Sequence, residues 1–334
     1  MNDRYSRQLR FGPIGPAGQE RLGAATVVVV GCGALGTVIL DQVARAGVGT
    51  IRCIDRDFVE PSNLQRQSLY DEADAAASRP KAEAAAARLR AVNAAITVVP
   101  VVAEVGSRSV ERLIAGATVV LDGTDNFRTR HLLNEAGHRA KIPWIYGACV
   151  GSYGLSLTIT PGEGPCLACL QDQLPGPGET PTCDTAGIIA PAVHQVAAWQ
   201  VAEALKLIVG AAPCRDLRSA DLWAGSHRRV AVGGWRDPAC PVCGPTPTYP
   251  LLSSPDDPTV VLCGRDAVQV TRPAVIDPVA LAERLGSVVL TANAWLVRWR
   301  EGAMTLTAFA DGRVLVQGVA DPAAARAAVD RWLG

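Results

Sequence analysis

The stretch that most restricts what this chain can fold into is ATVVVVGCGALGTVILDQVARAGVGTIRCIDRD, residues 25–57. A β-branched run, a glycine-rich turn, a stretch with helical spacing and a second apolar run ending in Asp55 describe one βαβ unit. Within GCGALG, Gly31 permits the tight turn, Gly33 lets a phosphate approach the backbone, and Gly36 lets helix and strand pack closely. The helix that follows opens with free amides and a partial positive charge, which suits phosphate. This pattern predicts nucleotide binding, with Asp55 about twenty residues on placed for a ribose. It does not by itself separate ATP from NAD or FAD.

Strand and helix patterns continue to alternate. RPKAEAAAARLRAVN reads as helix, TVVPVVAEV and ATVVLDGTDN as strands, RTRHLLNEAGHRAK as helix, and PWIYGACVGSYGLSLTITP as further strands. The expected architecture is α/β: a doubly wound, Rossmann-like, mainly parallel sheet whose ligands sit at the carboxyl ends of the strands, where Asp55 and residues 122–126 fall. Residues 161–187 turn to Gly, Pro, Cys and Thr and read as a loop. APAVHQVAAWQVAEALKLIVG then gives an apolar helix. The expected domains are 1–245, a proline-rich linker at 246–258, and a small α+β domain at 259–334.

A dehydrogenase would use Asp55 and little else nearby. Here Asp57, Glu60, Ser62, Asn63, Arg66 and Gln67 follow within a dozen residues. Taken with RYSRQ at 4–8, RPK at 79–81 and DGTDN at 122–126, the segment DRDFVEPSNLQRQ resembles the ThiF/MoeB/E1 family that activates ubiquitin-like proteins. The resemblance runs from about residue 3 to 244 and rests on several motifs in order.

That resemblance implies roles. Asp55 would hold the ribose, with Asp57 in the same nucleotide-binding set as Gly31, Gly33, Ala34 and Gly36. Asn63 and Arg66 would hold phosphates with Ser62 and Gln67 nearby, and Lys81 would sit at the reacting end. Asp125 with Asn126 would position Mg²⁺ or the reacting phosphate, and Arg7 would reach into a neighbouring subunit's site, which implies a homodimer. Ala34 departs from the family, many of whose members have glycine there. The implied reaction is ATP-dependent adenylation of the C-terminal glycine carboxylate of a small ubiquitin-like or sulfur-carrier protein ending in Gly-Gly. A cysteine desulfurase or a rhodanese would be the sulfur donor. The chemistry agrees: attack of one anion on another needs positive charge to gather them, and a carboxylate needs no general base at neutral pH.

Cys166 with Cys169, and Cys240 with Cys243, form two CxxC pairs. Four such thiolates make a closed tetrahedral Zn²⁺ site, and neither pair follows a strand into a helix as a redox dithiol would. Cys183 lies in the loop before the apolar helix. At a helix N-terminus its thiolate would be favoured; in the resembling family this loop can carry a cysteine that forms a thioester or passes sulfur, and an accidental loop cysteine is the equal alternative. Cys32, Cys53, Cys149 and Cys214 read as buried apolar groups. His131, His138 and His227 fall in charged stretches expected to be exposed, and His194 reads as a packing residue. Residues 259–334 are short for an appended rhodanese, and Cys263 stands at the end of a strand.

Lys plus Arg and Asp plus Glu both number 32, which argues against nucleic acid or an anionic membrane as the main partner. With no apolar signal core and no run long enough to span a bilayer, the expected location is the cytoplasm. The rival function is an NAD(P)-dependent oxidoreductase, which leaves Arg7, Asn63, Arg66, Lys81 and Asp125 without work; a second rival is a non-catalytic nucleotide-binding relative.

Overall fold

The computed structural model describes residues 3–171, 183–262 and 266–334. Its large sheet holds eight strands: β1 Thr26–Val30, β2 Thr50–Asp55, β3 Thr97–Val102, β4 Val119–Asp122, β5 Trp144–Val150, β6 Tyr153–Ile159, β7 Leu217–Asp221 and β8 Ser226–Val230. They lie in the order β3-β2-β1-β4-β5-β6-β7-β8. β1 to β5 pair in parallel, and β5 to β8 in antiparallel fashion. The chain leaves β1 toward β2 and β3, then returns to the other side of β1 for β4. That reversal opens a crevice beyond the carboxyl ends of β1 and β4.

Alternating residues of β1 explain why it is central. Val27 and Val29 pack with the helices Ala34–Ala46, Lys81–Val92 and Ala190–Val209, while Val28 and Val30 face the side of the helix Phe127–Ala140. Buried on both faces, the strand reads as a continuous apolar run. The helix Ala34–Ala46 starts after Gly33 and ends at Gly47, whose φ of 81° is the left-handed cap that glycine adopts without strain.

The chain divides into two compact units, with the break between Pro255 and Asp256. The second unit carries β9 Thr259–Leu262, β10 Ala267–Thr271, β11 Val289–Ala292, β12 Leu296–Glu301, β13 Met304–Phe309 and β14 Arg313–Gln317. This antiparallel sheet has the order β11-β12-β13-β14-β10-β9, and its core joins Val268, Trp299, Leu306 and Val316 to the helices Pro278–Leu285 and Pro322–Leu333. The apolar run VVLTANAWLVRWR has the composition of one strand but forms two: the Asn293 side-chain oxygen accepts from the amides of Trp295 and Leu296 and turns the chain between β11 and β12.

The stretch 246–258 is not free along its whole length. Pro250–Ser253 forms a helical turn, and the amides of Leu251 and Leu252 donate to the Glu135 carboxylate at 3.1 and 2.9 Å. Three further expectations change. His131 is buried and His138 half-buried, because the helix carrying them is covered on more than one side; His194 is exposed on the helix read as buried; Cys214 is half-buried. Cys263 lies outside the described residues.

Candidate active site

The crevice is an open cleft lined by Gly31, Gly33, Asp55, Asp57, Asp125 and Asn126 among others. The glycines have different reasons to be there. A Cβ on Gly31 would stand 2.5 Å from the carbonyl oxygen of Gly123, and one on Gly36 would stand 1.8 Å from the carbonyl oxygen of Gly31. The protein's own backbone therefore excludes any side chain at these two. At Gly33 the nearest atom to such a Cβ is the Gln67 amide nitrogen, 3.9 Å away. No neighbouring atom excludes a side chain at 33, although its backbone, at φ −80° and ψ −147°, lies outside the regions L residues favour; the open space leaves that backbone accessible to a ligand. The side-chain oxygen of Gln67 is buried beside this turn without a partner.

Asp55, at the end of β2, is held by backbone: one oxygen accepts from the Cys32 amide at 2.6 Å, the other from the Asp57 amide at 2.7 Å. Burial pushes its carboxyl above the usual carboxylate range, against the pull of Lys81. Lys81 opens its helix as a buried residue, with its ammonium 3.6 Å from Asp57. Arg56 is desolvated yet stays firmly protonated, because Asp57, Glu104 and Asp125 surround it, with Glu104 accepting at 2.7 Å.

The opposite wall is the loop after β4. Asp122 is fully buried; one carboxylate oxygen accepts from the Thr124 amide at 2.9 Å and the Thr124 hydroxyl at 2.7 Å. The other accepts from Arg130 Nε at 3.1 Å and the Gly147 amide at 3.3 Å. Arg130 also donates through Nη2 to the carbonyls of Thr124, at 2.7 Å, and Gly147, at 3.2 Å. Asn126 caps the helix Phe127–Ala140, its side-chain oxygen accepting from the Thr129 amide at 2.8 Å.

Not every expected residue reaches the cleft wall. Asn63 is buried and its side-chain oxygen accepts from the Glu60 amide at 3.1 Å within a capped turn, and Arg66 donates to the carbonyl of the neighbouring Ser62 at 2.9 Å. Lys81 stands behind Asp57 and Gln67 behind Gly33. Ala34 is the first residue of the helix at the turn. The wall is therefore more acidic than basic, with Asp55, Asp57, Glu104 and Asp125 beside Arg56, and the expected gathering of cations is partly tied up in local pairs. Arg7 is exposed on the helical turn Ser6–Leu9, whose neighbours fasten to the far end of the helix Ala34–Ala46: Gln8 donates to the Ala46 carbonyl at 2.9 Å, and a Cβ on Gly47 would meet the Tyr5 ring. A helix of that length spans about 20 Å, so Arg7 cannot serve its own glycine turn. Cys183 begins a separate helical turn, Cys183–Ala186, and not the long helix from Ala190; its side chain lies outside the described residues, as does the chain from 172 to 182.

The four paired cysteines converge: all four sulfurs lie within 4.8 Å of one another. Cys166–Cys169, Cys166–Cys240 and Cys169–Cys243 are 3.9, 3.6 and 3.4 Å apart. Four sulfurs bonded to one tetrahedral zinc at about 2.3 Å stand about 3.8 Å apart, so the set fits such an ion. Backbone amides also turn toward the sulfurs, those of Val242 and Cys243 toward Cys240 and that of Asp237 toward Cys169. Burial works against the Cys240 thiolate, but the amides outweigh it and bring the thiol below its ordinary value.

Sequence reasoning missed Arg130, Gly123, Arg56 and Glu104. Of these only Gly123 left a trace, as a glycine between two polar residues at a strand end.

Residues 5–242 match the ThiF family. The chain belongs to that family. Among ThiF-family relatives, the sulfur carrier protein ThiS adenylyltransferase of Bacillus subtilis is 45% identical over 339 residues, covering 100% of each chain. The SAMP-activating enzyme E1 of Haloferax volcanii is 40% identical over 72% of this chain and 88% of its own. The molybdopterin-synthase adenylyltransferase of Salmonella typhimurium is 38% identical over 72% and 96%. Among solved structures, the MccB enzyme of Escherichia coli superposes with a TM-score of 0.64 at 24% identity over 73% of this chain and 75% of that one, a likeness of fold. Among the described residues no helix is long and apolar enough to cross a membrane.

Proposed function

We propose that this chain is an ATP-dependent adenylyltransferase for the C-terminal carboxylate of a small ubiquitin-like sulfur-carrier protein, and that the carrier is of the ThiS type. The observation that supports the carrier's identity is the Bacillus subtilis relative, 45% identical along the full length of both chains, against 40% and 38% over 72% of this chain for the archaeal and Salmonella relatives. Names of adenylyltransferases along the whole chain favour ATP over the nicotinamide reading, and they disfavour a non-catalytic relative.

In the reaction a carboxylate oxygen of the carrier forms a bond to the α-phosphorus while the bond to the bridging oxygen breaks and pyrophosphate leaves with its electron pair. The amides at Gly33 and Ala34 would receive phosphate, and Asp55 and Asp57 would take the ribose side. Lys81 and Arg66 would turn from their local partners, Asp57 and the Ser62 carbonyl, to the phosphates, with Ser62, Asn63 and Gln67 supporting them. Asp57, Glu104 and Asp125 give the wall an excess of negative charge, so a triphosphate enters only with a compensating cation. Asp125, with Asn126, would hold Mg²⁺, which when bound supplies positive charge to the phosphates. Zinc would occupy Cys166, Cys169, Cys240 and Cys243 as a structural ion. Arg7 would complete the site of a second copy in a homodimer, and Cys183 would accept the activated carboxylate or sulfur from a desulfurase or rhodanese, in the cytoplasm.

ATP–pyrophosphate exchange measured with a ThiS-type and a molybdopterin-synthase-type carrier tests this. Exchange with the first and at least about tenfold less with the second is expected. Exchange with neither, or tight binding of NAD⁺ in place of ATP, refutes it.

A further inference from the structure

We propose that Arg130 is a positioning residue of adenylation, fixing the path of the loop that presents Asp125 to the cleft; this rests on the role given to Asp125 above. Arg130 is 5% exposed and Asp122 is 0% exposed, and a buried ion pair adds little stability over apolar residues of the same shape. Its presence in the core calls for a geometric reason. Every polar contact of the pair goes to the same few backbone groups. Asp122 takes the amide and hydroxyl of Thr124 on one oxygen, and Arg130 takes the Thr124 carbonyl at 2.7 Å. The Thr124 residue is thus gripped at both its amide and its carbonyl, and Asp125 departs from a fixed peptide plane.

Two further anchors tie this grip to the sheet. Gly147 on β5 gives its amide to Asp122 and its carbonyl to Arg130, and Gln200 donates to the carbonyls of Asp122, at 2.9 Å, and Ile145, at 3.0 Å. The guanidinium is itself steered by the rings of Phe127 and Tyr146, each 5.4 Å from its carbon. The planar fork meets a carboxylate and two carbonyls while lying near two rings. A lysine ammonium keeps the charge but cannot make these bonds together. Arg130 does not reach the reacting atoms; it acts through Thr124 on Asp125, and a displacement of about 1 Å in such a group costs on the order of 100-fold in rate.

The test compares Arg130→Lys and Thr124→Val with the wild-type full chain in ATP–pyrophosphate exchange, with calorimetric ATP binding and melting temperature beside it. For Arg130→Lys the expected result is a kcat lower by about 30- to 100-fold, a KM for ATP within about twofold, and a several-fold rise in the Mg²⁺ needed for half-maximal rate. For Thr124→Val, which removes one hydroxyl bond and keeps the ion pair, a fall of about fivefold is expected with the melting temperature little changed. A purely structural role would lower the melting temperature and the active fraction together, leave KM and the Mg²⁺ requirement alone, and be rescued by cooling. That pattern, or a wild-type kcat in Arg130→Lys, overturns the proposal; if Arg130→Lys fails to fold, unchanged exchange in Thr124→Val does so. Asp125→Ala separates the two readings: normal exchange there sinks the adenylation assignment, whereas a dead Asp125→Ala beside a normal Arg130→Lys sinks this one alone.

Discussion

The cleft and the four-cysteine cluster are built on opposite principles. In the cleft, Asp55 and Asp122 are each held by amides of the chain itself, so the walls stand in place before any ligand arrives. In the cluster, sulfurs from segments 74 residues apart meet at 3.4 and 3.6 Å, and an ion at their centre would be the bond between them. A site stabilised by its own backbone can lose its ligand and keep its shape. A site stabilised by a shared ion cannot.

Breaking that contrast is a matter of asking which changes touch activity and which touch folding. The largest effect should come from Asp125→Ala: exchange falls by about 1000-fold or more while the melting temperature stays within a few degrees. Exchange above a tenth of wild type would mean that Asp125 does no chemistry. Next is the cluster. Cys240→Ser, or prolonged chelation of the wild-type protein, is expected to remove about 3 kcal/mol or more of stability, read by denaturant unfolding, because a ligand set and its ion are lost together. Unchanged unfolding would show that the sulfurs hold nothing. Metal retention should also weaken as pH falls, since the thiolates must be proton-free to bind.

A finer division lies within the glycine turn. Gly33→Ala should lower the melting temperature only modestly, through its backbone conformation, and weaken ATP binding about tenfold in calorimetry, while Gly36→Ala should prevent folding; equal damage to stability from both would remove the case for a ligand at Gly33. The smallest effect is Asn126→Ala, expected to lower stability by about 1 kcal/mol as a lost helix cap. Should it instead abolish exchange at constant stability, Asn126 belongs to the chemistry more than to the helix.

The order of the strands through β6, and the acids at the ends of β2 and β4, were legible because β-branched runs and helical spacing are local signals. The cysteine set was legible because two CxxC pairs repeat a spacing with one common purpose. Arg130 was not, since an arginine among other charged residues of a helix looks solvated, and only the folding of β5 against that helix buries it. His131 misled for the same reason. Asn63 and Asn126 carried two meanings at once, and the structure shows the capping one. Arg7 could be named from its motif, but its distance from its own glycine turn belongs to tertiary structure. The split between β11 and β12 escaped because Asn293 bends the chain with a side-chain oxygen, in a run that otherwise reads as strand.

The contact among Gly31, Gly36 and Gly123 reaches beyond this one molecule. A Cβ at Gly123 would lie 2.4 Å from the Gly31 carbonyl oxygen, so three positions drawn from two distant parts of the chain forbid the smallest possible addition. A saturation library selected only for folding should come back blank at all three and yet admit alanine at Gly33. Drift along a lineage would then have no stepwise route out of this turn, since no single replacement makes room for another.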